Sequence, residues 1–391
     1  MGWGLHFTFA EAIIEASEGG GMTGDGKITY KDAGVDYDRI DPLKILAQRA
    51  AAQTAGNLAA AGFAEVAESR GESAYVVDMG DFYVASILEC LGTKSLVADA
   101  VRPLTGRTGY DLIAQDTIAM AVNDIVTVGA RPVNIHAYWA TGGSDWFSDR
   151  ERMRDLVEGW ARACDAVGAS WGGGETPGLA GVVAPGAIDL AASCVGVIRP
   201  KERLIVGRKL AAGDRIVIVA SSGIHANGIS LARRLAETLP EGYATRLADG
   251  RLYGEALLDP TILYSTLVQE LLEAEVPVHY ISNITGHGWR KLMRHPAPFT
   301  YRMTALPPVP PVLAFMQAEA RMDAAEAYGS LNMGAGFALF VPEGAVAAVI
   351  TTSERLGIPA LEAGRVEEGP KEVIIEPLAV RYAEESLNLR A

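Results

Sequence analysis

The sequence predicts an α+β chain, mixed α/β in character and built as two domains, and three observations carry that prediction. Strand-like and helix-like runs alternate in both halves. The stretch Arg199-Pro-Lys-Glu-Arg203 breaks the pattern with charge and proline directly after a long apolar run. The length, 391 residues of which 49% are hydrophobic, suffices for two cores at about 100–200 residues per domain.

Taken in order, residues 1–28 read as an N-terminal extension, 29–200 as a first domain and 201–391 as a second. The first 21 residues end in Ser17-Glu-Gly-Gly-Gly21, and their three acids with no Lys or Arg lack the basic region of a secretory signal. Tyr75–Asp78 and Phe82–Leu88, rich in β-branched and aromatic residues, read as strands followed by a turn at Gly92–Lys94. Between Leu112 and Val128, apolar Ile118, Val122, Ile125 and Val128 recur at helical spacing, so an amphipathic helix is expected, stopped by Gly129 and Pro132. A strand at Val133–Tyr138, a helix at Arg150–Val167 ended by Gly168, and a buried strand at Ala187–Ile198 follow. The second half reads as a strand at Arg215–Ala220 and helices at Ile229–Thr238 and Pro260–Ala274. A proline-rich connector at Pro296–Pro311 leads to a helix at Val312–Ala327, a strand at Gly336–Val341, a helix at Val346–Leu356 and a strand at Glu372–Ile375. No fixed short repeat points to a solenoid or propeller.

Charge and cysteine content narrow the function classes. A formal charge of −14 and a pI near 5.0 leave no basic stripe for nucleic acid, so a small-molecule substrate is expected. Cys90, Cys164 and Cys194 stand far apart without CxxC spacing, which argues against a disulfide framework or zinc site and fits a cytoplasmic home. No apolar run approaches the roughly 20 residues that cross a bilayer, so no membrane partner is expected.

Several stretches could carry chemistry. Tyr30-Lys-Asp-Ala-Gly-Val-Asp36 gathers a lysine and two acids around a glycine, and reads either as a solvated turn or as a loop closing on polyphosphate. Asp116 and Asp124, eight residues apart, lie within roughly 80° of each other on their helix, so they either face water or meet Mg²⁺. Gly172-Gly-Gly-Glu-Thr176 offers backbone N–H groups to an anion, or forms a glycine-rich hairpin. Ser221-Ser-Gly-Ile-His-Ala-Asn-Gly228 is the strongest local signal: small polar residues join a strand to a helix where a phosphate would sit, and His225 and Asn227 add a proton carrier and an amide. Ile281–Gly288, with His287, is a second such loop. No serine stands out as a nucleophile, and no Gly-X-Gly-X-X-Gly follows an N-terminal strand.

In their common order these stretches resemble the aminoimidazole ribonucleotide (AIR) synthetase family over about residues 29–376. The resemblance rests on Thr29–Asp36, Gly92-Thr-Lys94, Asp116 with Met120-Ala-Val-Asn-Asp124, Tyr138-Trp-Ala-Thr-Gly142, Gly173-Gly-Glu-Thr176, Cys194-Val-Gly-Val197, Ser221–Gly228, Ile284-Thr-Gly-His-Gly288 and Asn332-Met-Gly-Ala-Gly336. It implies an AIR-synthetase-like pair of α/β domains, a homodimer built through the N-terminal sheets, and ATP with Mg²⁺. The implied reaction is the cyclo-ligase step of purine biosynthesis: ATP phosphorylates the formamide oxygen of formylglycinamidine ribonucleotide, and a nitrogen closes the ring. By the same resemblance His225, Lys31 and Glu175 would be catalytic. The nucleotide would be held by Lys31, Asp36, Lys94, Asp116, Asn123, Gly173, Gly174, Ser222, Gly223 and Asn227, and the metal by Glu89, Asp116 and Asp124. Four departures stand out. Leu88-Glu-Cys-Leu-Gly-Thr-Lys94 replaces Thr-Asp-Gly-Val-Gly-Thr-Lys; Ala137 stands where an aspartate is frequent; Gly178-Leu179 replaces Met-Pro; and His287 with Arg290-Lys291 alters Thr-Gly-Gly-Gly-Phe-Trp-Glu-Asn. A divergent kinase or ligase, or a nucleotide-binding subunit without turnover, is the competing reading.

Overall fold

The computed structural model describes residues 33–34 and 36–387, so the N-terminal extension and Lys31 lie outside the described residues. The first half runs α1 (Tyr37–Ala52), β1 (Ala64–Glu65), β2 (Tyr75–Asp78), β3 (Tyr83–Cys90), α2 (Lys94–Thr105), α3 (Tyr110–Val126), β4 (Arg131–Thr141), α4 (Arg150–Val167), β5 (Ser170–Glu175) and β6 (Ile188–Ile198). Its strands form one sheet in the order β1-β2-β3-β6-β4-β5, antiparallel except for the parallel β4–β5 pair. Along β3 the alternation of strand side chains puts Tyr83 and Ala85 in the core and leaves Ser86, Leu88 and Cys90 exposed. α3 packs on β3, β4 and β6, with α4 beside it. α4 begins where Asp149 accepts the Arg152 N–H, and it ends at Gly168 in the left-handed region, the stop that the sequence predicts.

The second half holds β7 (Arg215–Ala220), α5 (Ile229–Thr238), α6 (Tyr253–Leu257), α7 (Ser265–Glu273), β8 (Tyr280–Asn283), β9 (Phe299–Met303), α8 (Pro311–Glu319), α9 (Ala324–Ser330), β10 (Ala335–Val341), α10 (Val346–Arg355), β11 (Ala360–Glu368), β12 (Glu372–Ile375) and β13 (Val380–Ala383). The sheet order is β13-β12-β9-β11-β7-β10-β8, with only β12–β9 parallel. Ile216–Val219 of β7 and Phe337–Val341 of β10 are wholly buried at its centre.

Four expectations are revised. The Gly92–Lys94 turn is the entry to α2. The connector at Pro296–Pro311 contains β9, and the helix at Val312–Ala327 divides into α8 and α9. α3 is not amphipathic in practice, because the sheet covers one side and the second half covers the other, so even Asp116, Thr117 and Asn123 are buried. That second side is a seam of hydrogen bonds. Gln115 Nε2 donates to the Thr261 carbonyl (2.9 Å), and Asn123 Nδ2 donates to the Ile262 carbonyl (2.8 Å) while its Oδ1 accepts the Tyr264 N–H (3.0 Å). From α7, Gln269 Nε2 reaches back to the Ala130 carbonyl (3.0 Å).

Candidate functional site

Next to this seam a cleft of about 900 Å³ opens between the halves. β3 supplies Glu89 and α3 supplies Asp124; the second half supplies Asn227 and the loop Thr285–Lys291, and α1 closes one side with Lys44 and Gln48. Asp124 is fixed by Asn283, whose Nδ2 donates to Oδ1 at 2.7 Å. Burial, and then the negative charge of Asp124, push the Glu89 carboxyl up to about 7. Facing them, the Lys291 ammonium donates to Thr285 Oγ1, and burial brings it down to about 8 against the pull of Asp124 and Glu89. His287 Nε2 lies 3.2 Å from Asp41 Oδ2 on α1, and burial, with Lys291 and Arg290 nearby, brings it down to about 4. Arg294 donates to the Gly71 carbonyl and Ser73 Oγ, so the rim of the cleft is also tied across the two halves. Paired acids and cations of this kind suit a phosphorylated ligand, whose charge the cations offset.

Of the residues expected at the site, Glu89, Asp124 and Asn227 line the cleft. Asp36 precedes α1 and is half-buried. Others are committed elsewhere, and their expected roles are revised. Lys94 and Asp116 are fully buried and form an ion pair at 2.6 Å. Lys94 Nζ also donates to the carbonyls of His225 (2.9 Å) and Asp259 (3.2 Å), while Asp116 Oδ1 accepts the N–H (2.7 Å) and hydroxyl (2.5 Å) of Thr261. Asp116 is thus committed to the Lys94 pair and does not line the cleft. Asn123 is spent on the seam, and Ser222 Oγ on the Pro260 carbonyl (2.7 Å). The Gly223 carbonyl accepts from Asn332 Nδ2 at 2.9 Å. Gly173, Gly174 and Glu175 lie on the edge strand β5 and do not line the cleft. Gly174 packs so closely on β4 that a Cβ would strike the Ala137 carbonyl, and the Glu175 carboxylate accepts its neighbour's N–H, from Thr176, at 3.2 Å. His225 sits behind the cleft in the left-handed region (φ 60°), where its Nε2 accepts the Ser222 N–H at 3.2 Å.

That placement gives His225 a pH signature instead of a proton-shuttle geometry. Burial first, then the Lys94 charge, lowers its pKa from 6.5 to about 3. A lowered histidine contributes stability that is present above its unfolded pKa and lost as pH falls towards the folded one. Unfolding free energy should therefore drop by about 1.4 kcal/mol per pH unit from this residue as pH falls from about 6 to 4. His225→Asn, which tolerates the left-handed backbone, should show a shallower slope in urea unfolding at pH 7, 6 and 5; equal slopes would refute the assignment.

Among the described residues no group of three His, Cys, Asp or Glu side chains is placed to hold a metal. Glu89 and Asp124 nonetheless share the cleft, and one or two carboxylates with phosphate oxygens and water are the usual surroundings of nucleotide-borne Mg²⁺. The residues present thus fit Mg²⁺ that arrives with a polyphosphate. Sequence reasoning noted His287 in a second anion loop and Lys291 only as a departure, and passed over Lys44 and Arg294. For α1 there was no local signal, because its lysine becomes a cleft residue only through tertiary packing.

Two sheet-and-helix halves joined along a buried helix, with an ionic cleft beside the join, define a two-domain scaffold for a phosphorylated small molecule. The chain belongs to the AIR synthase related family: the model of its N-terminal domain matches residues 71–198 and that of its C-terminal domain residues 211–376. It is 33% identical over 359 residues to the phosphoribosylformylglycinamidine cyclo-ligase of Carboxydothermus hydrogenoformans, covering 89% of this chain and 99% of that one. Among solved structures it shares its fold with T. maritima PurL. The form complexed with FGAR gives a TM-score of 0.54 at 16% identity, and the form complexed with ATP gives 0.51 at 16%. These matches cover 81% and 80% of this chain and 48% and 46% of the PurL chain, so the chain spans about half of that larger protein. Among the described residues no helix is long and apolar enough to cross a membrane.

Proposed function

We propose that this chain is an ATP-dependent cyclo-ligase that converts formylglycinamidine ribonucleotide to AIR, with release of ADP and phosphate, in the cytoplasm. The observation that carries this reading is the 33% identity to a cyclo-ligase along essentially the whole of that relative, through both halves that build the cleft. ATP phosphorylates the formamide oxygen; a ring-closing nitrogen then attacks the activated carbon, and phosphate leaves with that oxygen. Little covalent work falls to the protein, which must hold nitrogen and carbon in attack geometry and keep water away. Bound Mg²⁺ would neutralise phosphate charge. Glu89 and Asp124 would meet the metal–phosphate end, Asn227 would donate its amide to it, and Lys44 and Lys291 would face the anionic ligand. The Lys94–Asp116 pair, with His225 and Ser222, would act by fixing the loop that carries Asn227. Lys31 and Asp36 would close from the N-terminal side. The exposed face of the first sheet, with Leu88 at 68% exposure, is the surface proposed for a homodimer.

Purified protein with Mg²⁺-ATP should release ADP in step with AIR only when formylglycinamidine ribonucleotide is present. ATP binding without substrate-stimulated turnover would reject the proposal.

A further inference from the structure

Lys291, Glu89 and Asp124 line the same cleft. Lys291 lies on the short turn Gly288–Met293, with only 8% of its surface exposed. Its placement is rigid: Ser282 Oγ donates to its carbonyl at 2.8 Å. The turn is entered through His287 and Gly288, both at positive φ, and a Cβ on Gly288 would strike the Tyr328 carbonyl. The ammonium is held by Thr285 and feels the charges of Asp124 and Glu89. Neither carboxylate has an ion-pair partner within direct contact among the described residues; Asp124 has the neutral amide of Asn283. The two acids share the cleft with the buried Lys291 ammonium and, towards its rim, with Lys44 and Arg294, and a buried charge of either sign would be costly alone.

We propose that Lys291 is the resident cation of the cleft floor, a specificity-determining residue that keeps Glu89 and Asp124 from holding a divalent ion unless a polyphosphate brings it. A dication on the two carboxylates would sit beside a fixed positive charge with too few ligands. Phosphate oxygens supply both the missing ligands and the negative charge that offsets the repulsion. This inference rests on the nucleotide reading of the cleft, and its test uses no substrate and no turnover.

The full chain is titrated with Mn²⁺ in the absence of nucleotide and followed by electron paramagnetic resonance. Wild-type protein is expected to leave Mn²⁺ free. Lys291→Met should gain a site at least on the order of tenfold tighter, Lys291→Met/Glu89→Gln should lose it again, and Lys291→Arg should behave as wild type. Stoichiometric Mn²⁺ on wild type that Glu89→Gln releases overturns the proposal, as does a folded Lys291→Met with no gain. Should Lys291→Met not fold, the wild-type and Glu89→Gln titrations decide it alone. A chain that meets these expectations yet binds no ATP would reject the proposed function while leaving the role of Lys291 standing.

Discussion

Replacing either Lys94 by Met or Asp116 by Asn should cost about 3–5 kcal/mol of stability, the largest effect expected of any side chain described above. Each partner is fully buried, so removing one leaves an uncompensated charge with no water to meet it. The loss extends beyond the pair. Lys94 also satisfies the carbonyls of His225 and Asp259, and Asp116 satisfies both polar groups of Thr261. Urea unfolding of the two single variants and of Lys94→Met/Asp116→Asn should give a coupling energy of about 2 kcal/mol or more. Single losses below about 1 kcal/mol would show that the pair does not hold the halves together.

Asp124→Asn should act mainly on turnover, lowering kcat/KM for ADP release by about 100-fold or more, with a smaller loss of stability than either variant of the buried pair. The substituted amide oxygen can still accept from Asn283, so the local packing survives while the negative charge disappears. Its chain neighbour supplies the control. Asn123→Ala removes both seam hydrogen bonds, to Ile262 and from Tyr264, and should cost stability with little effect on turnover per folded molecule. Activity of Asp124→Asn within about threefold of wild type would remove that carboxylate from the proposed chemistry.

The elements that were legible in the sequence are those whose own residues settle their structure. α4 carries a capping aspartate, an apolar stripe and a terminal glycine, and β7 is a short apolar run with few alternatives. β9 and β11 were missed because prolines flank the first and charged Glu362, Arg365 and Glu367 dominate the second; their pairing partners, more than 50 residues away, make them strands. α2 was missed because Asp99 and Pro103 interrupt its apolar spacing. At the site, Asp124 and Asn227 could be read from their motifs. The division of labour along α3 could not, because Asp116, Asn123 and Asp124 look equivalent until the second half covers two of them and leaves the third at the cleft. Lys44 shows the same limit from the other side, since only the packing of α1 brings it to the cleft.

The seam bears on how the chain is made. The first sheet is complete at Ile198, yet the carbonyls and the threonine that satisfy Lys94 and Asp116 belong to residues 225, 259 and 261. In a nascent chain synthesised only through its first half, the residues that cover Lys94 and Asp116 and complete their hydrogen bonds do not yet exist. The two sheets are geometrically separate, while the polar interior beside the first is completed by the second half. The loop Asp259–Tyr264, synthesised with the second half, completes the interior of the first.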